Sequence, residues 1–204
     1  MRKFIYIFTL LLVAATAELA AQNMRTLFVG MPDTIFPLLT ATNRADCVDF
    51  VDAGMRARVS NRLDGKSELL RLTDDFLEMK MSNHSTLQMK LLPRSAGDTI
   101  VCMVKTVCAE SCDSRILFYT KDWKQLPQQF AYPPIKDFFV AADSLDTVLT
   151  IADIYLVKLN LSSSDVSMVA EYTMPSYMSS DDSLFVARRA RNLIYKWDGK
   201  QFKR

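Results

Sequence analysis

Val59-Ser60-Asn61-Arg62-Leu63-Asp64-Gly65-Lys66-Ser67-Glu68-Leu69-Leu70-Arg71-Leu72 places strand-like runs on both sides of Asp64-Gly65. Asp-Gly suits the positive-φ positions of a two-residue turn, so the stretch predicts a β-hairpin. The same grammar continues downstream. Residues 76–81 and 86–92 form two more strand-like segments, joined by the polar turn Ser82-Asn83-His84-Ser85. Residues 99–107 and 115–119 are again β-rich, with a cysteine-bearing loop between them. In Leu87-Gln88-Met89-Lys90-Leu91 every second residue is polar. This alternation predicts an antiparallel sheet with one face on a core and the other in water.

Upstream of the hairpin the period changes. Asp33 and Thr34 can cap a short helix over residues 35–39, with Pro37 near its start. Asn43 can cap a second helix over residues 44–53, which Gly54 would end. Cys47, Phe50 and Val51 share one face of that helix by their i, i+3, i+4 spacing. Downstream, residues 125–134 hold three prolines and read as a connector, and Pro134 can open a short helix over residues 135–142.

The second half echoes the first. Asp75-Phe76-Leu77-Glu78-Met79-Lys80-Met81 resembles Asp153-Ile154-Tyr155-Leu156-Val157-Lys158-Leu159. Tyr119-Thr120-Lys121-Asp122-Trp123-Lys124-Gln125-Leu126 resembles Tyr195-Lys196-Trp197-Asp198-Gly199-Lys200-Gln201-Phe202 at nearly the same offset. Two matches in one order suggest an internal duplication. The expected architecture is α+β: N-terminal helices packed on antiparallel sheet, in two tandem related β units. Residues 22–130 would hold the helices and the first unit, and residues 131–204 a short helix and the second.

The chain opens with Met1-Arg2-Lys3, an apolar run to Ala15, and then Ala17-Glu18-Leu19-Ala20-Ala21. Basic start, apolar centre and small-residue exit describe a secretory signal peptide over residues 1–21. The run is short for a membrane span, so no transmembrane segment is expected after cleavage. Losing Arg2, Lys3 and Glu18 turns 25 basic and 23 acidic residues into 23 and 22. So even a balance gives no reason to expect nucleic acid, which is bound through many Lys/Arg–phosphate contacts.

Export to an oxidising compartment makes four cysteines a candidate disulfide set: Cys47, Cys102, Cys108 and Cys112. Cys108 and Cys112 lie in one short polar turn and are the expected bridge, stabilising by roughly 2 kcal/mol through loop closure. A Cys47–Cys102 bridge would close a loop worth roughly 4 kcal/mol. Both sites, however, read as core positions, where free cysteine is common.

Signals for chemistry are sparse. His84 is the one histidine and sits in a polar turn without an accompanying nucleophile motif. Cys108 and Cys112 lack the second paired set of a structural zinc site. Asp74-Asp75 and Asp181-Asp182 are carboxylate pairs, but each reads as a strand-entry turn. Gly65 and Gly199 are isolated hairpin glycines rather than a phosphate-cradling loop. Arg188-Arg189-Ala190-Arg191 reads as a solvated edge or turn. No cofactor or metal ligand set is expected. Aromatic residues are the better lead: Trp123, Trp197, Tyr119 and Tyr195 lie at the matched hairpins, and Phe130, Tyr132, Phe138 and Phe139 crowd the connector. Trp and Tyr are common binding anchors.

Asn43-Arg44-Ala45-Asp46, Asp52-Ala53-Gly54-Met55, Leu72-Thr73-Asp74-Asp75, Leu91-Leu92-Pro93, Thr106-Val107-Cys108, Asp113-Ser114 and Asp122-Trp123 together resemble an uncharacterised secreted family of Bacteroidales. The resemblance implies a Gram-negative periplasmic or extracellular location, and it brings no activity or site residues. The expected function is a non-enzymatic binding protein of the envelope, contacting a protein, peptide or glycan. The alternative is a carboxylate-dependent hydrolase of envelope or dietary polymers.

Overall fold

The computed structural model describes residues 23–128, 130–140, 144–173 and 178–204. The expected signal peptide therefore lies outside the described residues. Two helices, α1 (Met24–Val29) and α2 (Ala41–Asp52), precede six strands: β1 (Ala57–Ser60), β2 (Lys66–Leu72), β3 (Phe76–Ser82), β4 (Ser85–Pro93), β5 (Thr99–Cys108) and β6 (Cys112–Tyr119). After a connector come a 3-10 turn (Ile135–Phe138), α3 (Leu145–Ile151), β7 (Val157–Leu161), β8 (Ser167–Tyr172), α4 (Ser180–Ala187), β9 (Leu193–Trp197) and β10 (Phe202–Lys203). The fold is α+β, with a six-stranded antiparallel meander β1 to β6 and a four-stranded antiparallel sheet ordered β10-β9-β8-β7.

β5 shows how the layers are arranged. Ile100 to Val104 are five consecutive buried residues. Val101 and Met103 point into one core with Met24, Phe28, Cys47, Leu69 and Met79, beneath the N-terminal helices. Ile100, Cys102 and Val104 point into a second core with Phe118, Leu159, Met168, Tyr195 and Trp197, beneath the other sheet. At β4 to β6 the first sheet is thus covered on both faces, which corrects the expectation of a solvated face there, whereas β1 and β2 keep one exposed face. Each fully buried large aliphatic residue contributes about 1.5–3 kcal/mol.

The polar residues that suggested solvent instead join the two sheets. Gln88 of β4 accepts from the Leu161 amide at 2.9 Å. Lys90 is buried, pairs with Asp75 at 2.7 Å and donates to the Ser163 carbonyl. Ser114 of β6 accepts from the Leu159 amide at 2.9 Å and hydrogen bonds Thr106. Asp113 accepts from the Val157 amide at 3.2 Å.

Several local expectations are revised. The helix expected over residues 35–39 is a run of turns. Its carbonyls are claimed from outside: Lys105 Nζ donates to Ile35, the Arg62 amide to Leu38, and the Arg44 guanidinium to Leu39. Arg44 is buried, also donates to the Val29 and Met31 carbonyls, and pairs with Asp33 at 3.1 Å. α2 starts earlier than expected, with Thr40 as cap and Asn43 as the reciprocal partner of a capping box. Gly54 follows it at φ +67°.

The first hairpin is wider than a two-residue turn, since Ser60 pairs with Lys66. Asn61 organises the loop, its Oδ1 accepting from the Leu63 and Gly65 amides and its Nδ2 donating to Ser67. α1, α3 and α4 were not anticipated. α4 takes in Asp181-Asp182 as its first turn under a Ser179 cap, so that pair does not mark a strand entry. The 3-10 turn replaces the described part of the helix expected over residues 135–142.

The two β units share the antiparallel meander but differ in strand number, and the matched segments do not coincide in place. Residues 154–156 precede β7, whereas their counterparts Phe76 to Glu78 lie within β3. Tyr119 ends β6 and enters the helix-side core, while Tyr195 is central in β9 and enters the inter-sheet core. The shared pattern is therefore that of local hairpins.

Cys108 and Cys112 face each other across the β5–β6 hairpin and are bridged, with sulfurs 2.01 Å apart. Cys47 and Cys102 are free, buried, and in different cores. Burial, with help from Asp46, pushes the Cys47 thiol up to about 11, and burial raises that of Cys102 as well.

Non-reducing peptide mapping is expected to recover Cys108 and Cys112 linked, and Cys47 and Cys102 as thiols that iodoacetamide reaches only after unfolding. Labelling of either in the native protein would contradict this arrangement. Ser114→Ala leaves the buried Leu159 amide without its acceptor, and urea unfolding should show a loss of about 1–3 kcal/mol.

Candidate functional site

The residues after β6 build a groove along that strand's outer edge. Gln125 bridges to Tyr119, and the Leu126 amide donates to the Phe118 carbonyl at 2.8 Å. Pro127 has no amide hydrogen to continue such pairing. The chain swings away and returns at Tyr132, whose hydroxyl donates to the Ser114 carbonyl at 2.8 Å and meets the Ile116 amide. Phe130 fixes the swing, packing edge-on against Tyr132 and Tyr195, each with centroids 5.1 Å away.

Under this arch is a hollow of about 360 Å³, lined by Arg115, Ile116, Leu117, Gln125 and Leu126 among others. Tyr132 also borders a second hollow of about 400 Å³, with Pro133, Pro134, Ile135, Leu149 and Tyr155 on its wall. Tyr155 closes it by donating its hydroxyl to the Pro133 carbonyl at 2.5 Å. Asp153 is the carboxylate on that wall.

The electrostatics favour neutral phenols. Burial pushes Tyr155 up to about 12, reinforced by the phenols of Tyr195 and Tyr132 and by Asp113 and Asp137. Burial raises Tyr132 too, partly offset by the Ile116 amide, and it raises Tyr195. The hydroxyls therefore stay protonated at neutral pH and act as hydrogen-bond donors.

The residues expected at exposed aromatic tips lie elsewhere. Trp197 is 7% exposed; its indole donates to the Pro93 carbonyl and packs on Phe118 and Phe202 at 6.0 and 5.3 Å. Tyr119 and Tyr195 are each 5% exposed and occupy the two separate cores. Trp123, at φ +60°, is half-buried against Tyr119, with centroids 5.7 Å apart. Hairpin tips became core because the second sheet and the helices cover both faces of the first at β4 to β6.

His84 is exposed in its turn. Arg189 stacks on Phe185 and donates to Ser144, and Arg191 donates to the Asp137 carbonyl, so part of the basic cluster holds the C-terminal region together. Among the described residues, no three His, Cys, Asp or Glu side chains group as a metal site would require.

A family model described as a protein of unknown function (DUF3256) matches residues 16–202. The chain belongs to the DUF3256 family. It is also similar in fold to a solved domain of an uncharacterized protein from Porphyromonas gingivalis W83. That domain is 25% identical with a TM-score of 0.77, over 90% of this chain and 100% of the other. No curated protein matches. Of this DUF3256 site, Tyr132 stood in the aromatic-rich connector flagged by the sequence. Arg115 and Tyr155 gave no such signal, since an isolated arginine in a strand and a tyrosine before one are ordinary.

For Tyr155 the sign of the pH effect is fixed. An unfolded phenol titrates near pH 10, and the folded one is held at about 12. Its contribution to stability is complete below pH 10 and is lost as pH rises through that interval. Absorbance titration of phenolate should show a step near pH 12 that disappears in Tyr155→Phe; an unchanged profile would refute the assignment.

Proposed function

We propose that this DUF3256 protein is an exported, non-enzymatic binding protein of a Gram-negative cell envelope, and that it holds its ligand in the groove of Tyr132 and Tyr155. The observation that carries this reading is the pair of adjoining hollows sharing Tyr132, formed where the connector arches over the β6 edge. Concave, mainly apolar surface with a few fixed polar groups is what ligand sites offer. Export is supported by the basic, apolar and small-residue order of residues 1–21, by the bridged Cys108–Cys112 pair, and by the resemblance to secreted Bacteroidales proteins. Among the described residues, no helix is long and apolar enough to cross a membrane.

The hydrolase alternative requires two carboxylates facing each other across a cleft. The described lining of the two hollows supplies one, Asp153. Binding places fewer demands on the groove than hydrolysis does.

Glycan and peptide arrays probed with the mature protein test the proposal. Binders should lose at least tenfold in affinity with Tyr155→Ala, while Trp123→Ala, outside the lining of both hollows, leaves them unchanged. Absence of any binder, or equal affinity for the Tyr155 variant, would overturn the groove assignment. Release of soluble fragments from a polymer, abolished by Asp153→Asn, would favour the hydrolase instead.

A further inference from the structure

The face of the first sheet that the second sheet covers at β4 to β6 continues, uncovered, onto β1, β2 and the Lys80 end of β3. The register places its residues. Arg58 is opposite Glu68, Glu68 is opposite Lys80, and Ser60 is opposite Lys66. Arg71 is opposite Glu78, past an irregularity at Leu70. Side chains at opposed positions share one face of a sheet. Arg56 joins them by pairing with Glu68 at 2.7 Å. The face thus sets Arg56, Arg58, Lys66, Arg71 and Lys80 against two carboxylates, Glu68 and Glu78. In a chain whose 25 basic and 23 acidic residues nearly balance, that is segregated charge.

Little of this charge is neutralised from within. Glu68 takes both donors of Arg56, which hold its carboxyl below the usual carboxylate range with help from Arg58 and Lys80. Lys66 donates to the Ser60 hydroxyl and Arg71 to the Ser163 hydroxyl, both uncharged. Among the described residues, Arg58, Lys66, Arg71 and Lys80 make no ion pair. A second observation is apolar. Leu70 is 53% exposed beside these cations, and Leu63 in the adjoining hairpin loop is 80% exposed. A soluble polyanion gains nothing from bare leucines. A bilayer offers phosphates to the cations and an acyl boundary to the leucines.

We propose that this bare face of β1 to β3 docks on an anionic phospholipid surface, with Arg58, Lys66 and Lys80 meeting lipid phosphates and Leu70 entering the headgroup boundary. The presence of a membrane nearby is taken from the envelope reading above. The groove takes no part, since the face shares no residue with the lining of either hollow. Either reading can therefore fail alone. Each cation held at such a surface raises partition about fivefold, so the three together contribute roughly a hundredfold. Leu70 adds a smaller share that salt does not screen.

The test is flotation of the mature protein with vesicles of phosphatidylcholine alone, and of phosphatidylcholine and phosphatidylglycerol in equal parts. Flotation is expected with the anionic vesicles only, and should be lost at about 1 M sodium chloride, where charges are screened within about 3 Å. Arg58→Gln, Lys66→Gln and Lys80→Gln should each weaken partition about fivefold, and the triple variant should not float. Leu70→Ser should weaken partition while keeping its salt dependence. Arg188→Gln, just after α4, should float like the wild type. All five side chains are exposed, so the variants should melt at the wild-type temperature. Flotation with phosphatidylcholine alone as strong as with anionic vesicles would overturn the proposal. So would no flotation with the anionic vesicles, or wild-type partition by the triple variant or by Leu70→Ser. Retention on immobilised polygalacturonate without flotation would overturn it too, assigning the face to an acidic polymer.

Discussion

Three side chains of the first sheet satisfy the outer edge of the second. β7 lies across β4 to β6, and its Val157, Leu159 and Leu161 amides are accepted by Asp113, Ser114 and Gln88. Apolar contact alone would hold the sheets together in many relative positions, because it is non-directional. Three hydrogen bonds at every second residue of one strand select a single register. A slip of one residue would present Leu159 and its neighbours with their opposite faces and leave buried amides unpaired. Tyr155, just ahead of β7, in turn bonds the Pro133 carbonyl at the far end of the connector, whose arch makes the groove.

The aromatic residues carry that placement outward. Trp197 and Phe202 pack on Phe118, Phe130 meets Phe202 and Tyr195, and Phe130 also supports Tyr132. A continuous chain of rings thus runs from the inter-sheet core to the groove wall. On the other face of the sheet, Arg44 plays a comparable organising role with polar bonds. Its guanidinium ties together carbonyls on either side of the turns that follow α1. Neither arrangement relies on regular secondary structure in the segment that it fixes.

The strands were readable because alternation survives on a sheet even when its partner is unknown: β3 to β6 fall where the pattern put them, within a few residues. α2 was readable from Cys47, Phe50 and Val51. What escaped was anything decided by a surface the chain supplies later. Gln88 and Lys90 look solvated until β7 and the turn after it arrive to be bonded. Trp197 and Tyr195 look like hairpin tips until the two sheets close on them. α1 was hidden beside the apolar leader, although Met24, Leu27 and Phe28 have helical spacing. α3 and α4 are too short to display a period. For the groove, the sequence offered the aromatic-rich connector and Tyr132. It offered nothing of the β6 edge, because a strand's place at the border of a sheet belongs to topology and leaves no mark on residue type.

The bridge between Cys108 and Cys112 looks purely local, closing the loop between adjacent strands. Yet those two residues are partners in the β5–β6 register, and Asp113 and Ser114 follow directly in the chain. Fixing the first cross-strand pair of β6 also fixes which of its next two side chains meets which amide of β7, 44 and 45 residues further on. The covalent link therefore acts as an alignment pin for a joint in which it takes no part. Oxidation of a five-residue loop thereby becomes information about how the two sheets are mated.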